Sequence, residues 1–149
     1  MPARARPRWS IWAAAAAAAL AADASAADSR EAGRRLFEGQ TPLAAQISGQ
    51  GLALPPQASR CTNCHAEATD ARASEPNRAF APVLSPDGLR RSQPRRGGPP
   101  SRYDVASMCR VLRTGIDPAS VIVDRNMPRY ELTDADCNAL WVYLTEATR

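Results

Sequence analysis

One segment, Cys61-Thr62-Asn63-Cys64-His65, limits what this chain can fold into more than any other. Two thiols three residues apart can each add across one vinyl group of a haem, and an imidazole directly after the second thiol then reaches the iron. His65 is the only histidine of the chain. The spacing therefore predicts one covalent haem c, attached at Cys61 and Cys64, with His65 as an iron ligand.

Two other kinds of site use the same pair of cysteines. A thiol redox pair also has the spacing Cys-x-x-Cys, but it is typical of a strand followed by a helix, and the sequence shows no such context. A zinc site needs two further ligands, which Cys109 and Cys137 could supply. Both alternatives stay open beside the haem site.

A haem that only transfers electrons needs a second strong ligand on its iron. Beyond the N-terminal segment, Met108 and Met127 are the two methionines of the chain. Met127 precedes a proline in an irregular segment and can project from it, whereas Met108 falls inside a predicted helix, where methionine is more often a core residue. We therefore expect Met127 as the second iron ligand; Met108 and a five-coordinate iron are the alternatives.

The N-terminal residues 1–26 have the three parts of a secretory signal peptide. A stretch with three arginines precedes an apolar run over residues 11–22, and Ala24-Ser25-Ala26 supplies small residues for cleavage. The apolar run has about a dozen residues, whereas a membrane span needs about twenty. We expect export to the periplasm followed by cleavage, with an uncleaved membrane anchor as the alternative.

The remaining residues, 27–149, predict one small, loop-rich, all-α domain of three to four helices. The first helix is expected to begin at Asp28 and to end at Gly39, and the second to cover residues 103–114. The last helix begins at Thr133, with Asp136 as its capping partner. Residues 66–101 are rich in proline and predict a long loop, and we find no strand pattern.

Five segments together resemble class I c-type cytochromes over most of residues 27–149. They are Gly33-Arg34-Arg35-Leu36-Phe37, Cys61-Thr62-Asn63-Cys64-His65, Ala81-Pro82-Val83-Leu84, Met127-Pro128 and Leu140-Trp141-Val142-Tyr143-Leu144. The resemblance implies a cytochrome c-like fold around a single haem, in which the first helix crosses the last at Gly33. Phe37 then packs against Leu140 and Tyr143.

The same resemblance implies a role for Pro82. Its backbone carbonyl is expected to accept a hydrogen bond from the His65 imidazole, which would fix the ring and tune the iron. Pro82 is therefore counted among the cofactor-binding residues, with Cys61, Cys64, His65 and Met127.

Cys109 and Cys137 are left over once the other two cysteines hold the haem. An exported protein meets an oxidising compartment, where such a pair forms a disulfide. The bridge would close a loop of about thirty residues and contribute roughly 3–4 kcal/mol to stability. Two buried free thiols are the alternative.

The net charge of the chain does not identify a binding partner. All nineteen basic residues are arginine, and the formal net charge is +4; we expect no nucleic-acid partner. Four arginines cluster in the predicted loop, at positions 90, 91, 95 and 96. They are either a docking surface for an acidic partner or the side chains of a solvated loop.

An iron closed by His65 and Met127 leaves no position for a substrate. We therefore expect an electron carrier and not an enzyme. Its partners would be redox proteins, with a dehydrogenase as donor and an oxidase or another cytochrome as acceptor, or it would be the cytochrome subunit of an exported dehydrogenase. A haem enzyme or gas sensor with an open iron is the alternative.

Overall fold

A computed structural model of the chain describes residues 25–65 and 81–146. In chain order its main elements are α1 (residues 25–37), β1 (Ala45–Gln46), a 3₁₀ turn (Cys61–Asn63), α2 (Pro86–Arg90), α3 (Val105–Thr114), β2 (Arg129–Tyr130) and α4 (Asp134–Thr145). The described part is thus mostly helical, which confirms the coarse prediction of a small helical fold. The small sheet was not predicted.

The sheet consists of β1 and β2, which pair antiparallel. Ala45 lies opposite Tyr130, and Gln46 lies opposite Arg129. Because each strand has two residues, neither produces a period-2 pattern that a sequence can display. The pairing nevertheless joins the segment that follows α1 to the segment that follows Met127.

Capping side chains fix the ends of α3 and α4. At α4 the Thr133 hydroxyl accepts from the amide of Asp136, whose carboxylate accepts in return from the amide of Thr133; this confirms the predicted cap. At the end of α3, Gly115 has φ 77°, a left-handed conformation that favours glycine. The start of α3 differs from the prediction, since Asp104 is the N-cap.

Helix α1 crosses α4 at Gly33, as the resemblance implies. A Cβ atom at this position would lie 2.0 Å from the carbonyl oxygen of Ala139 and 2.7 Å from Cβ of Tyr143. One turn further along α1, the rings of Phe37 and Tyr143 are 5.7 Å apart. The start of α1 was predicted wrongly, because residues 25–27 are already helical and Asp28 lies inside the helix.

A disulfide between Cys109 and Cys137 links α3 to α4. Their Cα atoms are 5.3 Å apart, within the range that a disulfide requires. Both cysteines belong to the main hydrophobic core, with exposures of 7% and 1%. The predicted bridge is therefore confirmed, and the alternative of two free thiols is not.

Part of the predicted loop over residues 66–101 is ordered around α2. Ser85 caps this helix, and Leu89 is buried. The Arg90 guanidinium donates to the Thr145 hydroxyl (3.0 Å) and lies over the Trp141 ring, 5.9 Å from its centroid. The segment is consequently attached to the end of α4.

Arg95 and Arg96 have contacts of their own within the fold. Arg95 lies over the Tyr103 ring, 4.9 Å from its centroid. Arg96 forms an ion pair of 3.3 Å with Asp117, whose side chain is fully buried. These contacts disfavour a freely solvated arginine loop.

None of the helices in the described ranges is both long and apolar enough to cross a lipid bilayer. The predicted signal peptide lies outside the described residues except for its last two positions, and residues 66–80 of the predicted loop lie outside them as well.

Candidate functional site

An apolar cavity of about 420 Å³ lies between the 3₁₀ turn, the segment around α2, and helices α3 and α4. Four of the five predicted cofactor-binding residues line it, namely Cys61, His65, Pro82 and Met127. Cys64 does not line the cavity and is exposed. The fold therefore brings to one cavity residues that lie far apart in the sequence.

The turn at residues 61–65 sets the two cysteines apart. The amides of Cys64 and His65 both donate to the carbonyl oxygen of Cys61, at 3.2 and 2.9 Å. This tight turn places the Cys61 side chain on the cavity wall, whereas Cys64 faces solvent. The two thiols thus lie on the same turn in different environments.

His65 is held by the backbone of Pro82. Its Nδ1 lies 2.9 Å from the Pro82 carbonyl oxygen, and a carbonyl can only accept, so Nδ1 carries the proton and donates. Burial lowers the pKa of His65; the Pro82 contact opposes this effect, and the nearby Arg96 guanidinium adds to it. The ring is therefore a neutral imidazole whose Nε2 has a free lone pair.

Cys61 is poorly suited to thiol redox chemistry. Burial raises the pKa of its thiol to about 11, whereas a reactive cysteine pair needs a lowered thiol pKa. The four-cysteine zinc alternative fails for a different reason, because Cys109 and Cys137 are bonded to each other. Neither alternative to a bound redox group is supported by this geometry.

Two methionines reach the cavity. Met127 is half-buried and lies in a turn. Its amide donates to the Asp124 carbonyl oxygen (3.1 Å), and its own carbonyl oxygen accepts from the Arg129 guanidinium. Met108 is buried in the core, as predicted, but it lines the cavity too. The preference for Met127 over Met108 stays a prediction.

The prediction of a haem c cofactor needs correction. In the parts of the chain that the structure describes, no group of three or more His, Cys, Asp or Glu side chains could hold a metal ion. The described cavity lining includes two such side chains, Cys61 and His65, and its other residues are mainly apolar. By this criterion the iron cofactor is wrong, and no metal is assigned to the site.

Sequence reasoning did not single out Tyr130, Tyr103, Arg95 and Arg96 as site residues, yet all four line the cavity. The sequence feature that could have identified Tyr130 as a site residue is its position three residues after Met127, in the same irregular segment. The two arginines were noticed as a charge cluster and not as cavity residues.

No protein-family model, curated protein or solved structure matches this chain. Its function is therefore inferred from the cavity and from the residues around it.

Proposed function

We propose that this protein is an exported, single-domain electron carrier with a cytochrome c-like fold. It would hold one redox-active group in the cavity between the turn at residues 61–65 and Met127. The observation that carries the proposal is the convergence of Cys61, His65 and Met127 on one apolar cavity.

The cavity suits a largely apolar group that is attached to the chain. Its walls come from aliphatic and aromatic side chains, among them Phe37, Leu89 and Leu140. The thiol of Cys61 faces into it, and Cys64 on the same turn offers a second attachment point. Cys61 remains protonated at neutral pH because burial raises its pKa to about 11, so it is a poor partner for rapid thiol exchange.

The lining favours electron transfer over catalysis. Acid–base chemistry needs a group that can give and take a proton next to the substrate. Among the described residues that line the cavity there is no Asp or Glu, and the only imidazole, that of His65, already donates to Pro82. A group held here can gain and lose an electron, and no carboxylate of the described lining lies beside it to act as a general acid or base.

The expected setting is the periplasm. The predicted signal peptide in residues 1–26 directs export, and a disulfide such as that between Cys109 and Cys137 is typical of oxidising compartments. The partners are redox proteins, a dehydrogenase as donor and an oxidase or a cytochrome as acceptor, and no nucleic acid is involved. A subunit role in an exported dehydrogenase fits the same site.

The proposal is tested on the full-length chain, purified from the periplasm of a bacterial host. Intact mass spectrometry is expected to give a mass above that of the polypeptide by one covalent group, located on the peptide that contains Cys61 and Cys64. The visible spectrum should change reversibly on reduction and reoxidation. The variant Cys61→Ala/Cys64→Ala should lose both signals, whereas Cys109→Ala/Cys137→Ala should keep them. A wild-type mass equal to that of the bare polypeptide would contradict the proposal.

A further inference from the structure

We propose that Tyr130 is a positioning residue, which holds the turn at residues 61–65 against the strand that follows Met127. It would place the Cys61 thiol at the cavity wall without taking part in any chemistry itself. This role in attachment rests on the proposed function, whereas the positioning of the turn does not.

The first observation is a buried hydrogen bond between distant segments. The Tyr130 hydroxyl donates to the carbonyl oxygen of Ser59 at 3.0 Å. Tyr130 is 7% exposed and Ser59 is 4% exposed, so water does not readily replace this bond. The bond anchors the backbone two residues before Cys61.

The acceptor itself is held in place. The Ser59 hydroxyl shares its single proton between the carbonyl oxygens of Leu43 (3.2 Å) and Pro56 (3.1 Å). Because these carbonyl oxygens hold Ser59 in place, its bond to Tyr130 keeps the turn at a fixed distance from β2.

The second observation concerns the Cys61 thiol. Cys61 and Tyr130 both line the cavity, where Tyr130 lowers the pKa of the Cys61 thiol and Cys61 raises the pKa of the Tyr130 hydroxyl. The Tyr130 hydroxyl donates its single proton to the Ser59 carbonyl oxygen. Burial, with a smaller effect from Cys61, raises the pKa of Tyr130, and the hydroxyl therefore stays neutral.

The third observation is the connection to Met127. Tyr130 belongs to β2 and pairs with Ala45 of β1. The neighbouring Arg129 donates to the carbonyl of Met127. One tyrosine side chain consequently links the two segments that carry Cys61 and Met127.

The experiment compares Tyr130→Phe with Tyr103→Phe in the full-length exported protein. Tyr103 is the matched control because its side chain lines the same cavity but packs against Arg95. Hydrogen exchange is measured for the amides of Cys64 and His65, both of which donate to the Cys61 carbonyl. Peptide mass spectrometry measures the fraction of chains attached through Cys61 and through Cys64.

In Tyr130→Phe we expect exchange at these two amides to become about tenfold faster, because a buried hydrogen bond to the turn is lost. Exchange in α3 and α4 should not change, and attachment through Cys61 should fall several-fold relative to Cys64. Tyr103→Phe should leave hydrogen exchange at these two amides at the wild-type value.

Three results would overturn the inference. One is wild-type exchange at the turn in Tyr130→Phe. Another is an equal acceleration throughout α3 and α4, which would make Tyr130 a general stabilising residue. The third is undiminished attachment through Cys61. A wild-type protein without any attached group would instead overturn the proposed function, and the exchange result would still decide the role of Tyr130.

Discussion

Removing the bridge between Cys109 and Cys137 tests how firmly α3 and α4 depend on each other. The two residues are 28 positions apart in the sequence. For a closed loop of about thirty residues, the chain-entropy model gives about 3.6 kcal/mol of stabilisation. Domains of this size have a total stability of about 5–15 kcal/mol. The bridge is therefore expected to provide a large share of the stability of the fold.

The substitution should remove the bond without adding a buried polar group. Cys137 is 1% exposed and Cys109 is 7% exposed, so serine would bury a hydroxyl at either site, at a further cost of about 1–3 kcal/mol. The double variant Cys109→Ala/Cys137→Ala avoids this cost. We expect it to lose about 3–5 kcal/mol, which is the entropy term plus some lost packing of the two sulfur atoms.

Urea denaturation followed by far-ultraviolet circular dichroism measures the free energy of unfolding. The matched control is the wild-type protein under reducing conditions, which lacks the cross-link and keeps both sulfur atoms. Its free energy of unfolding should be close to that of the double variant. If the double variant lost less than about 1 kcal/mol, α3 and α4 would be held by packing alone, and the reasoning from loop closure would be refuted.

Three further results are expected. Gly33→Ala should destabilise the protein by about 1–3 kcal/mol in thermal unfolding, because the new Cβ would lie 2.0 Å from the Ala139 carbonyl oxygen; an unchanged melting temperature would contradict the close crossing. Asp117→Asn should cost about 1–3 kcal/mol in urea, since it removes the buried charge that pairs with Arg96, and a cost near zero would show that the pair contributes little. In protein made without export, Cys61 should be alkylated only slowly at pH 7 and about tenfold faster per pH unit above it, because burial raises its pKa to about 11; rapid labelling at pH 7 would contradict the raised pKa.

The sequence predicted helix ends well where the capping residue and the backbone group that it caps are only a few positions apart. Thr133 and Asp136 form their capping box three residues apart, and Gly115 ends α3 through its own backbone conformation. The start of α1 was misjudged because Asp28 looked like a cap. The residues before it include Ala26 and Ala27, and alanine is the best helix former, so the helix continues upstream.

Contacts between distant residues could not be predicted from local patterns. The pairing of β1 with β2 depends on two-residue strands, which carry no periodicity. The contact of His65 with Pro82 was expected only through a family resemblance, and it is present. The bond from Tyr130 to Ser59 joins residues 71 positions apart, and neither segment has a sequence pattern that predicts it. For this reason the residues of the motif could be predicted from the sequence, whereas the tyrosine that bonds to the backbone beside it could not.

The arginine cluster shows how a chain with few large apolar residues can cover a cavity. Helix α2 has five residues, which is too short for a helix to be stable alone. It is held by Leu89, which is buried and accepts from the Tyr103 amide (2.9 Å), and by Arg90, which reaches the end of α4. Arginine carries an apolar stem and a planar charged head, so it packs on aromatic rings while its head stays hydrated. Arg95 and Arg96 of the cluster are thus part of the cavity wall, and the charge of the cluster is available to a partner only where these contacts leave it exposed.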